Sequence, residues 1–190
     1  MRIISGAWRG RPLLSPLGDK TRPTSDRARE ALFSMLTSRL GSFEELQVAD
    51  IFAGTGALGL EALSRGAAHC VFVETDAGAI AAIKGNIDRL GARGRATVMT
   101  QPAESRRHSA VRPCHLLMLD PPYDSGLGQK ALPRLAEQGW IAPGGWVSLE
   151  TARHESVDVP GFEVDAARDH GKARLHILRF TGLATEGAVP

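Results

Sequence analysis

Cysteine is scarce in this chain of 190 residues, and long apolar runs are missing from it. The two cysteines, Cys70 and Cys114, lie far apart in separate apolar segments, so they form neither a metal-ligand spacing nor a disulfide framework. No run of about 18 apolar residues exists to span a membrane, and residues 1–15 lack the apolar segment of a signal peptide. The histidines are scattered without a metal-ligand pattern. We therefore expect a cytoplasmic protein with reduced cysteines in its core, no metal and no membrane contact.

Charge is distributed unevenly along the chain, although the net charge is only +2. Residues 1–40 contain eight Lys and Arg side chains against three acidic ones, which gives this segment +5 and leaves −3 for the remainder. A basic arm on a nearly neutral body is typical of proteins that meet a phosphate-rich partner. A solvated basic surface would give the same pattern, so charge alone leaves the partner open.

The order of the predicted elements indicates one α/β domain. Residues 1–23 predict a basic arm in which 2–4 and 12–14 form a short β-hairpin, and Thr24 or Ser25 can cap a helix that ends at residue 40. Strands and helices then alternate, with strands at 48–52, 70–73, 96–99, 115–119 and 145–150 and helices at 58–65, 77–90 and 127–138. Such alternation predicts a parallel sheet covered on both faces. A short connection makes the last two strands, 162–166 and 173–180, antiparallel. The domain is expected to span 24–181, followed by a disordered tail at 182–190.

A glycine-rich turn follows the first predicted strand of the domain. Gly54, Gly56 and Gly59 fit the spacing G-x-G-x-x-G, and Glu74 follows Gly54 by 20 positions at the end of the second strand. Glycines permit a tight turn and close approach of the backbone to a ligand, and a carboxylate at this place accepts hydrogen bonds from ribose hydroxyls. The turn therefore predicts a cofactor that contains adenosine, without saying which one.

Asp50, four residues before Gly54, narrows the choice of cofactor. Its carboxylate would repel a pyrophosphate but suits the ammonium group of a methionine moiety. In addition, residues 52–56 resemble the first motif of S-adenosylmethionine-dependent methyltransferases. We therefore expect S-adenosylmethionine as the cofactor, with these contacts: Asp50, Phe52, Ala53, Gly54, Thr55, Gly56, Leu58, Glu74, Thr75, Gln101, Ala103 and Asp120.

The sequence Asp120-Pro121-Pro122-Tyr123 directly follows the fourth strand, at the sheet edge where ligands bind. Two prolines fix the backbone and remove two N–H donors, which leaves the Asp120 carboxylate and the neighbouring carbonyls as a row of acceptors. Acceptors that grip the N–H bonds of an aromatic amine can aim its lone pair at a methyl donor, and Tyr123 can stack on a flipped base. We predict Asp120, Pro121, Pro122 and Tyr123 as the catalytic residues.

The loop resembles the Asn/Asp-Pro-Pro-Tyr/Phe motif of methyltransferases that act on adenine N6, cytosine N4 or guanine N2, and the motif alone does not choose among these. The arm is more specific. Residues 2–6, 9–11 and 21–33, together with 59–67 and 140–145, resemble the bacterial small-subunit ribosomal RNA guanine-N2 methyltransferases of the RsmD family. The resemblance extends over about residues 1–180, and Thr21-Arg22-Pro23-Thr24 is its most specific part.

Membership of this family would imply a Rossmann-like methyltransferase fold, in which a seven-stranded, mostly parallel sheet has an antiparallel last pair and the N-terminal hairpin is an extension. The implied reaction is methylation of a guanine N2 amine in 16S ribosomal RNA, with guanine 966 as the family's target. The implied partner is that RNA, in an assembling small ribosomal subunit, and we expect the protein to be a monomer.

The arm and the helix after it supply the predicted RNA contacts, which are Arg9, Arg11, Arg22, Thr24 and Arg27. Arg22 could pair with the methionine carboxylate of the cofactor or with an RNA phosphate, and the sequence leaves both possibilities open. The chain departs from related sequences after the third strand, where they usually have Asp or Asn to contact the adenine and this chain has Pro102. The adenine must then be held by Gln101, by the Ala103 backbone or by apolar packing. We expect a lower affinity for the cofactor as a result.

Two other functions remain compatible with parts of the pattern. An adenine-N6 methyltransferase of DNA or RNA would share the cofactor turn and the Asp-Pro-Pro-Tyr loop. An NAD-dependent oxidoreductase would share only the glycines and Glu74. Binding of S-adenosylhomocysteine, and not of NAD, separates the methyltransferases from the oxidoreductase.

Overall fold

The elements follow the alternation that the sequence predicts. The computed structural model describes residues 1–15, 26–103, 105 and 112–183. Its helices are α1 (Asp26–Leu40), α2 (Ala57–Ser64), α3 (Ala77–Leu90) and α4 (Leu127–Glu137). Its strands are β1 (Gln47–Ile51), β2 (His69–Val73), β3 (Ala96–Met99), β4 (Cys114–Leu119), β5 (Ile141–Ala152), β6 (Phe162–His170) and β7 (Ala173–Phe180). The predicted tail from 184 onward and the arm from 16 onward lie outside the described residues.

These strands form one seven-stranded sheet in the order β3-β2-β1-β4-β5-β7-β6. The first five of them run parallel, while β7 is antiparallel to both β5 and β6. This is the predicted methyltransferase sheet with its antiparallel last pair. The order reverses between β1 and β4, and a reversal of this kind opens a crevice at the carboxyl ends of the strands where ligands bind.

Two apolar clusters cover the two faces of the sheet. Helices α1, α2 and α3 and the N-terminal arm pack on one face, against β-strand side chains such as Phe72 and Met118. Helix α4 packs on the other face through Ala131, Leu132 and Leu135. Both cysteines are buried within these clusters as free thiols, as predicted. None of the helices in the described ranges has the length and apolar character needed to cross a membrane.

The predicted N-terminal hairpin is present in residues 1–15. Arg2 and Pro12 form an antiparallel bridge, the Ile3 N–H donates to the Arg11 carbonyl at 2.9 Å, and the Gly10 N–H donates to the Ile3 carbonyl at 2.8 Å. A bridge this short would be marginal in water alone, so the hairpin depends on the surface beneath it. Ile3 and Leu13 are buried against that surface and belong to the same cluster as α2.

Two strands are longer than predicted, for different reasons. β5 begins at Ile141 because Pro143 and Gly144 lie in an irregularity of the β4–β5 pairing, and do not precede the strand as predicted. β6 continues to His170 instead of residue 166. It is an edge strand with mostly exposed side chains, so its last residues show no apolar alternation, and only pairing with β7 keeps them extended.

Candidate active site

Four carboxylates stand at the carboxyl ends of four neighbouring strands. Asp50 lies in β1, level with Phe72 of β2 and Met118 of β4. Glu74 follows β2 directly. Asp120 and Glu150 are also neighbours, because each comes one residue after the paired residues Leu119 and Leu149 of β4 and β5. The sheet therefore brings together an acidic rim, which we define as Asp50, Glu74, Asp120 and Glu150.

The glycine-rich turn takes the conformation that its residues predict. Gly54 and Gly56 have φ values of 54° and 78°, in the left-handed region that favours glycine. Gly59 is required for packing instead, since a Cβ added to it would lie 2.4 Å from Cε1 of Phe72 and 2.6 Å from the Cys70 sulfur. Phe52 also has a positive φ of 62°, an uncommon conformation for a bulky residue that marks the start of the turn.

Glu74 joins the turn after β1 to the turn after β2. Its Oε2 accepts the Gly54 N–H at 2.8 Å, and its Oε1 accepts the N–H groups of Thr75 and Asp76 at 2.7 and 3.0 Å. Glu74 is half-exposed, and its carboxylate has further lone pairs that hydroxyl donors can use. The geometry is therefore compatible with a contact to a ribose, and that contact stays a prediction.

Asp50 is the most deeply buried residue of the rim. The residue is 1% exposed, and its Oδ2 accepts the Gly59 N–H at 2.8 Å. Burial raises its pKa well above the ordinary value, and the charges of Asp120 and Glu74 raise it further, against the effect of the Gly59 hydrogen bond. The contact that we can describe is therefore internal, between β1 and the start of α2. Contact of Asp50 with a cofactor ammonium stays a prediction.

The other predicted cofactor residues divide by exposure. Phe52, Gly54 and Thr55 are half-buried on the turn, and Thr75 and Gln101 are exposed near the ends of β2 and β3. Ala53, Gly56, Leu58 and Ala103 are buried, so any contact they make with a ligand would come from main-chain atoms or from the edge of a side chain. Pro102 is exposed, and its carbonyl accepts the Ser105 N–H at 2.9 Å in a tight turn.

The Asp-Pro-Pro-Tyr loop follows β4, which pairs with β1, so it lies at the same sheet edge as the glycine-rich turn, as predicted. Asp120 is half-buried and Pro121 is buried, while Pro122 and Tyr123 are exposed. Tyr123 is 44% exposed, so its ring is available to a ligand, and its hydroxyl donates a hydrogen bond to Oε1 of Glu150. The loop is held from behind by α4, because Gly128 lets that helix approach: a Cβ there would lie 3.1 Å from Cγ of Pro121.

Glu150 is the residue of the site that the sequence analysis missed. It is 9% exposed, and burial raises its pKa from 4.5 to about 7, with a further increase from the Asp120 charge and an opposing effect of the Tyr123 hydrogen bond. A carboxyl with such a pKa at a sheet edge indicates a functional position. The sequence contained one usable signal, which is that an acidic residue lies at the end of each of the four strands.

Two of the predicted RNA contacts, Arg9 and Arg11, lie far from the catalytic loop. Arg9 belongs to the hairpin turn, which docks at the end of α2 through the Ala7 N–H to the Ser64 carbonyl at 2.8 Å. Arg11 donates to the Arg89 carbonyl at 3.1 Å, in the last turn of α3. Both helices end at the amino edge of the sheet, opposite the catalytic loop.

Of the other three predicted RNA contacts, only Arg27 belongs to the described residues. Arg27 is exposed in the first turn of α1. Arg22 and Thr24 lie outside the described residues. The structure therefore separates Arg9 and Arg11 from the rim and leaves the predicted contacts of all five residues as predictions.

Buried polar side chains of α2 and α3 hold the arm in place. Oε2 and Oε1 of Glu61 accept the N–H groups of Ile4 and Ser5 at 2.8 and 3.0 Å, although Glu61 is fully buried. Asn86 accepts the Leu14 N–H at 2.7 Å and donates to the Thr55 carbonyl at 3.1 Å. Asn86 thus links the end of the hairpin directly to the cofactor turn.

Within the described residues, no group of three or more His, Cys, Asp or Glu side chains is arranged to hold a metal ion. The acidic groups of the rim instead suit a cationic ligand, because a nearby positive charge favours their ionised forms, whereas a pyrophosphate would be repelled by those that are ionised.

Comparison with known proteins agrees with the fold. The family model described as "Conserved hypothetical protein 95" matches residues 1–179. The chain is 38% identical over 151 residues to ribosomal RNA small subunit methyltransferase D of Escherichia coli strain K12, and the match covers 80% of this chain and 74% of that protein. The same-named protein of Haemophilus influenzae is 34% identical over 163 residues, covering 84% of this chain and 83% of the relative.

A solved structure of the Escherichia coli protein yhhF superimposes with a TM-score of 0.82 at 33% identity, and the match covers 96% of this chain and 98% of that one. The match to the family model extends over the arm, the glycine-rich turn and the Asp-Pro-Pro-Tyr loop alike. The chain belongs to the RsmD family of methyltransferases.

Proposed function

We propose that this protein transfers a methyl group from S-adenosylmethionine to the exocyclic N2 amine of a guanine in 16S ribosomal RNA, and that the target is guanine 966. The observation that supports this most directly is the juxtaposition of the Asp120-Pro121-Pro122-Tyr123 loop and the glycine-rich turn at one sheet edge. The curated relatives that it resembles over most of its length are named ribosomal RNA small subunit methyltransferases.

The acidic rim supports S-adenosylmethionine as the cofactor. This molecule carries a sulfonium and an ammonium group. A positive ligand favours the ionised forms of the carboxyl groups in the rim, which a neutral or anionic ligand does not do. Glu74 stands where it can accept the ribose hydroxyls, and the left-handed glycines allow the backbone to approach closely. When bound, the cofactor supplies an electrophilic methyl group.

Asp120 and Pro121 hold the amine that receives the methyl group. The Asp120 carboxylate and the carbonyls of the loop accept its N–H hydrogen bonds, and the two prolines keep these acceptors rigid. The exposed Tyr123 ring stacks on the base and fixes its plane. The reaction requires alignment of the amine more than strong acid or base catalysis, and Asp120 can receive the proton that the methylated amine loses.

Arginines on the arm and on α1 bind the RNA backbone. Arg27 is exposed at the start of α1, whereas Arg9 and Arg11 lie at the opposite edge of the sheet from the catalytic loop. An RNA that reaches both places must extend across the domain, as a folded ribosomal RNA in an assembling small subunit can do. Arg22 and Thr24 complete the proposed RNA contacts, with Arg22 bound either to a phosphate or to the methionine carboxylate.

The test is incorporation of labelled methyl groups from S-adenosylmethionine into 16S RNA, alone and in small-subunit particles, with the modified base then mapped. We expect label on guanine N2 at position 966, and most of it with particles. Label on adenine N6 would favour the alternative methyltransferase, and no label in either substrate would contradict the proposed function.

A variant then tests the site itself. Asp120→Ala should abolish methyl transfer and leave the affinity for S-adenosylhomocysteine near the wild-type value, because the carboxylate is proposed to hold the amine. Asp158→Ala, which removes an exposed carboxylate before β6, is the matched control and should retain full activity. Turnover retained by Asp120→Ala would refute this assignment. S-adenosylhomocysteine, and not NAD, should raise the melting temperature.

A further inference from the structure

Glu150 has no role of its own in the transfer step proposed above, yet it is the hydrogen-bond partner of the residue proposed to stack on the base. The Tyr123 hydroxyl donates to Oε1 of Glu150. Tyr123 comes from an exposed loop, whereas Glu150 belongs to the buried, twelve-residue strand β5, which is paired on both sides. The contact therefore ties an exposed aromatic ring to a rigid part of the sheet.

We propose that Glu150 is a positioning residue of the methyl-transfer site, whose carboxylate holds the Tyr123 ring in the orientation that receives the target base. The proposal rests on the proposed function for the identity of the base, but the contact between the two side chains can be tested without it. A tyrosine on an exposed loop samples several ring orientations, and one charge-assisted hydrogen bond at the end of the ring removes most of that freedom before the base arrives.

The surroundings of Glu150 make this contact sensitive to pH. Asp120 stands beside it at the end of β4, and Glu155 lines the same small open cavity as Glu150. On β7 the residue opposite is Leu175, and the side chains of its neighbours Arg174 and His176 point to the other face of the sheet. Burial of Glu150, together with the charge of Asp120 beside it, raises its pKa to about 7, against the opposing effect of the Tyr123 hydrogen bond.

Ionised Glu150 accepts the Tyr123 hydroxyl in a charge-assisted hydrogen bond, and protonated Glu150 accepts it in a weaker, neutral one. The ring should therefore be held most firmly above pH 7. The open cavity gives solvent protons access to the carboxyl, so this change is expected to be reversible and fast.

Tyr123 is the only tyrosine of the chain, and this permits a direct spectroscopic test. The near-ultraviolet absorption of a phenol shifts when the strength of its hydrogen bond changes. We expect the tyrosine band of the wild-type protein to shift with a midpoint near pH 7, and Glu150→Gln to show no such shift. Tyr123→Phe removes the tyrosine contribution from the near-ultraviolet absorption, to which three tryptophans also contribute, and so identifies the source of the shift. A wild-type band that does not change between pH 6 and pH 8, or an unaltered shift in Glu150→Gln, would overturn the proposal.

Activity provides a second, independent measurement. Glu150→Ala should lower kcat/KM for the RNA about 10- to 100-fold, the effect expected for the loss of a charge-assisted hydrogen bond, while the affinity for S-adenosylhomocysteine shows that the variant is folded. Glu150→Gln retains an acceptor oxygen, so its kcat/KM should fall only a few-fold, and the dependence of kcat/KM on pH should be flattened near pH 7. Glu163→Gln, at an exposed position of β6, serves as the control.

A double-mutant comparison shows whether Glu150 acts through Tyr123. In the Tyr123→Phe background, Glu150→Ala should lower kcat/KM only slightly further, because the hydroxyl that Glu150 holds is already absent. Fully additive losses of kcat/KM in the two single variants and the double variant would overturn the proposal. If the wild-type protein methylates no RNA, the proposed function fails, while the spectroscopic titration still decides whether Glu150 holds Tyr123.

Discussion

Replacing Glu150 by glutamine should stabilise the protein at alkaline pH. The pKa of this carboxyl is raised from 4.5 to about 7 by burial and by the neighbouring Asp120 charge. A raised acid pKa means that the folded state binds the proton more tightly than the unfolded state, so the free energy of unfolding falls as the pH rises from about 4.5 to about 7 and is then constant. A shift of about 2.5 units, at about 1.4 kcal/mol per unit, corresponds to a loss on the order of 3 kcal/mol above pH 7.

Glutamine has nearly the same shape as glutamate, keeps an acceptor for Tyr123 and carries no charge, so Glu150→Gln removes this loss. We expect its free energy of unfolding, measured by urea denaturation at pH 8, to exceed the wild-type value by about 3 kcal/mol. The difference should shrink to below about 1 kcal/mol at pH 5, where the folded wild-type protein already holds the proton. The dependence of the free energy of unfolding on urea concentration (the m-value) should be the same in the variant as in the wild type.

The matched control is Glu163→Gln, at an exposed position of edge strand β6, which should change stability by less than about 0.5 kcal/mol at either pH. Equal stability of wild type and Glu150→Gln at pH 8, or a gain of the same size at both pH values, would refute the electrostatic reasoning. A gain in stability combined with a loss of activity is the trade-off expected when a site keeps an unfavourable charge for its function.

Three further perturbations follow from the geometry. Gly59→Ala should destabilise the protein by about 2 kcal/mol or more in urea denaturation, because its Cβ would lie 2.4 Å from the Phe72 ring. Glu61→Ala leaves the half-buried N–H groups of Ile4 and Ser5 without their acceptor, so limited proteolysis should cut the arm faster than in the wild type. Replacing both Arg9 and Arg11 by alanine should reduce the salt slope of RNA binding by about two and leave the turnover of saturating RNA unchanged, since both lie opposite the catalytic loop; an unchanged slope would remove them from the RNA interface.

Local sequence patterns were sufficient for most of the fold. The apolar runs of β1, β2 and β4 and the helical spacing in α3 predict these elements closely, because each buries side chains at a characteristic period. The prediction was poorest for β5 and β6. Pairing with neighbours extends both strands beyond the residues that show a pattern, and this pairing is a long-range property of the sheet.

By itself, the sequence determined the chemistry that is available to this protein. The glycines of the turn and the prolines of the catalytic loop restrict their own backbones, so their effect can be predicted without any contact. The hairpin in residues 1–15 and the antiparallel pairing of β6 with β7 were also predicted from the sequence, because a short connection joins the two strands in each case.

Only the tertiary structure decided which side chains meet. Glu150 looks like the end of an ordinary strand until the pairing of β4 with β5 sets it beside Asp120 and within hydrogen-bonding distance of Tyr123. Asp50 looks like a ligand-binding residue until burial and the Gly59 N–H show that it also closes the turn from below. Arg9 and Arg11 lie in a basic arm, and docking on α2 and α3 sets them far from the catalytic loop. Register, burial and docking depend on contacts between distant segments, and these contacts determine both the geometry of the site and the pKa of its groups.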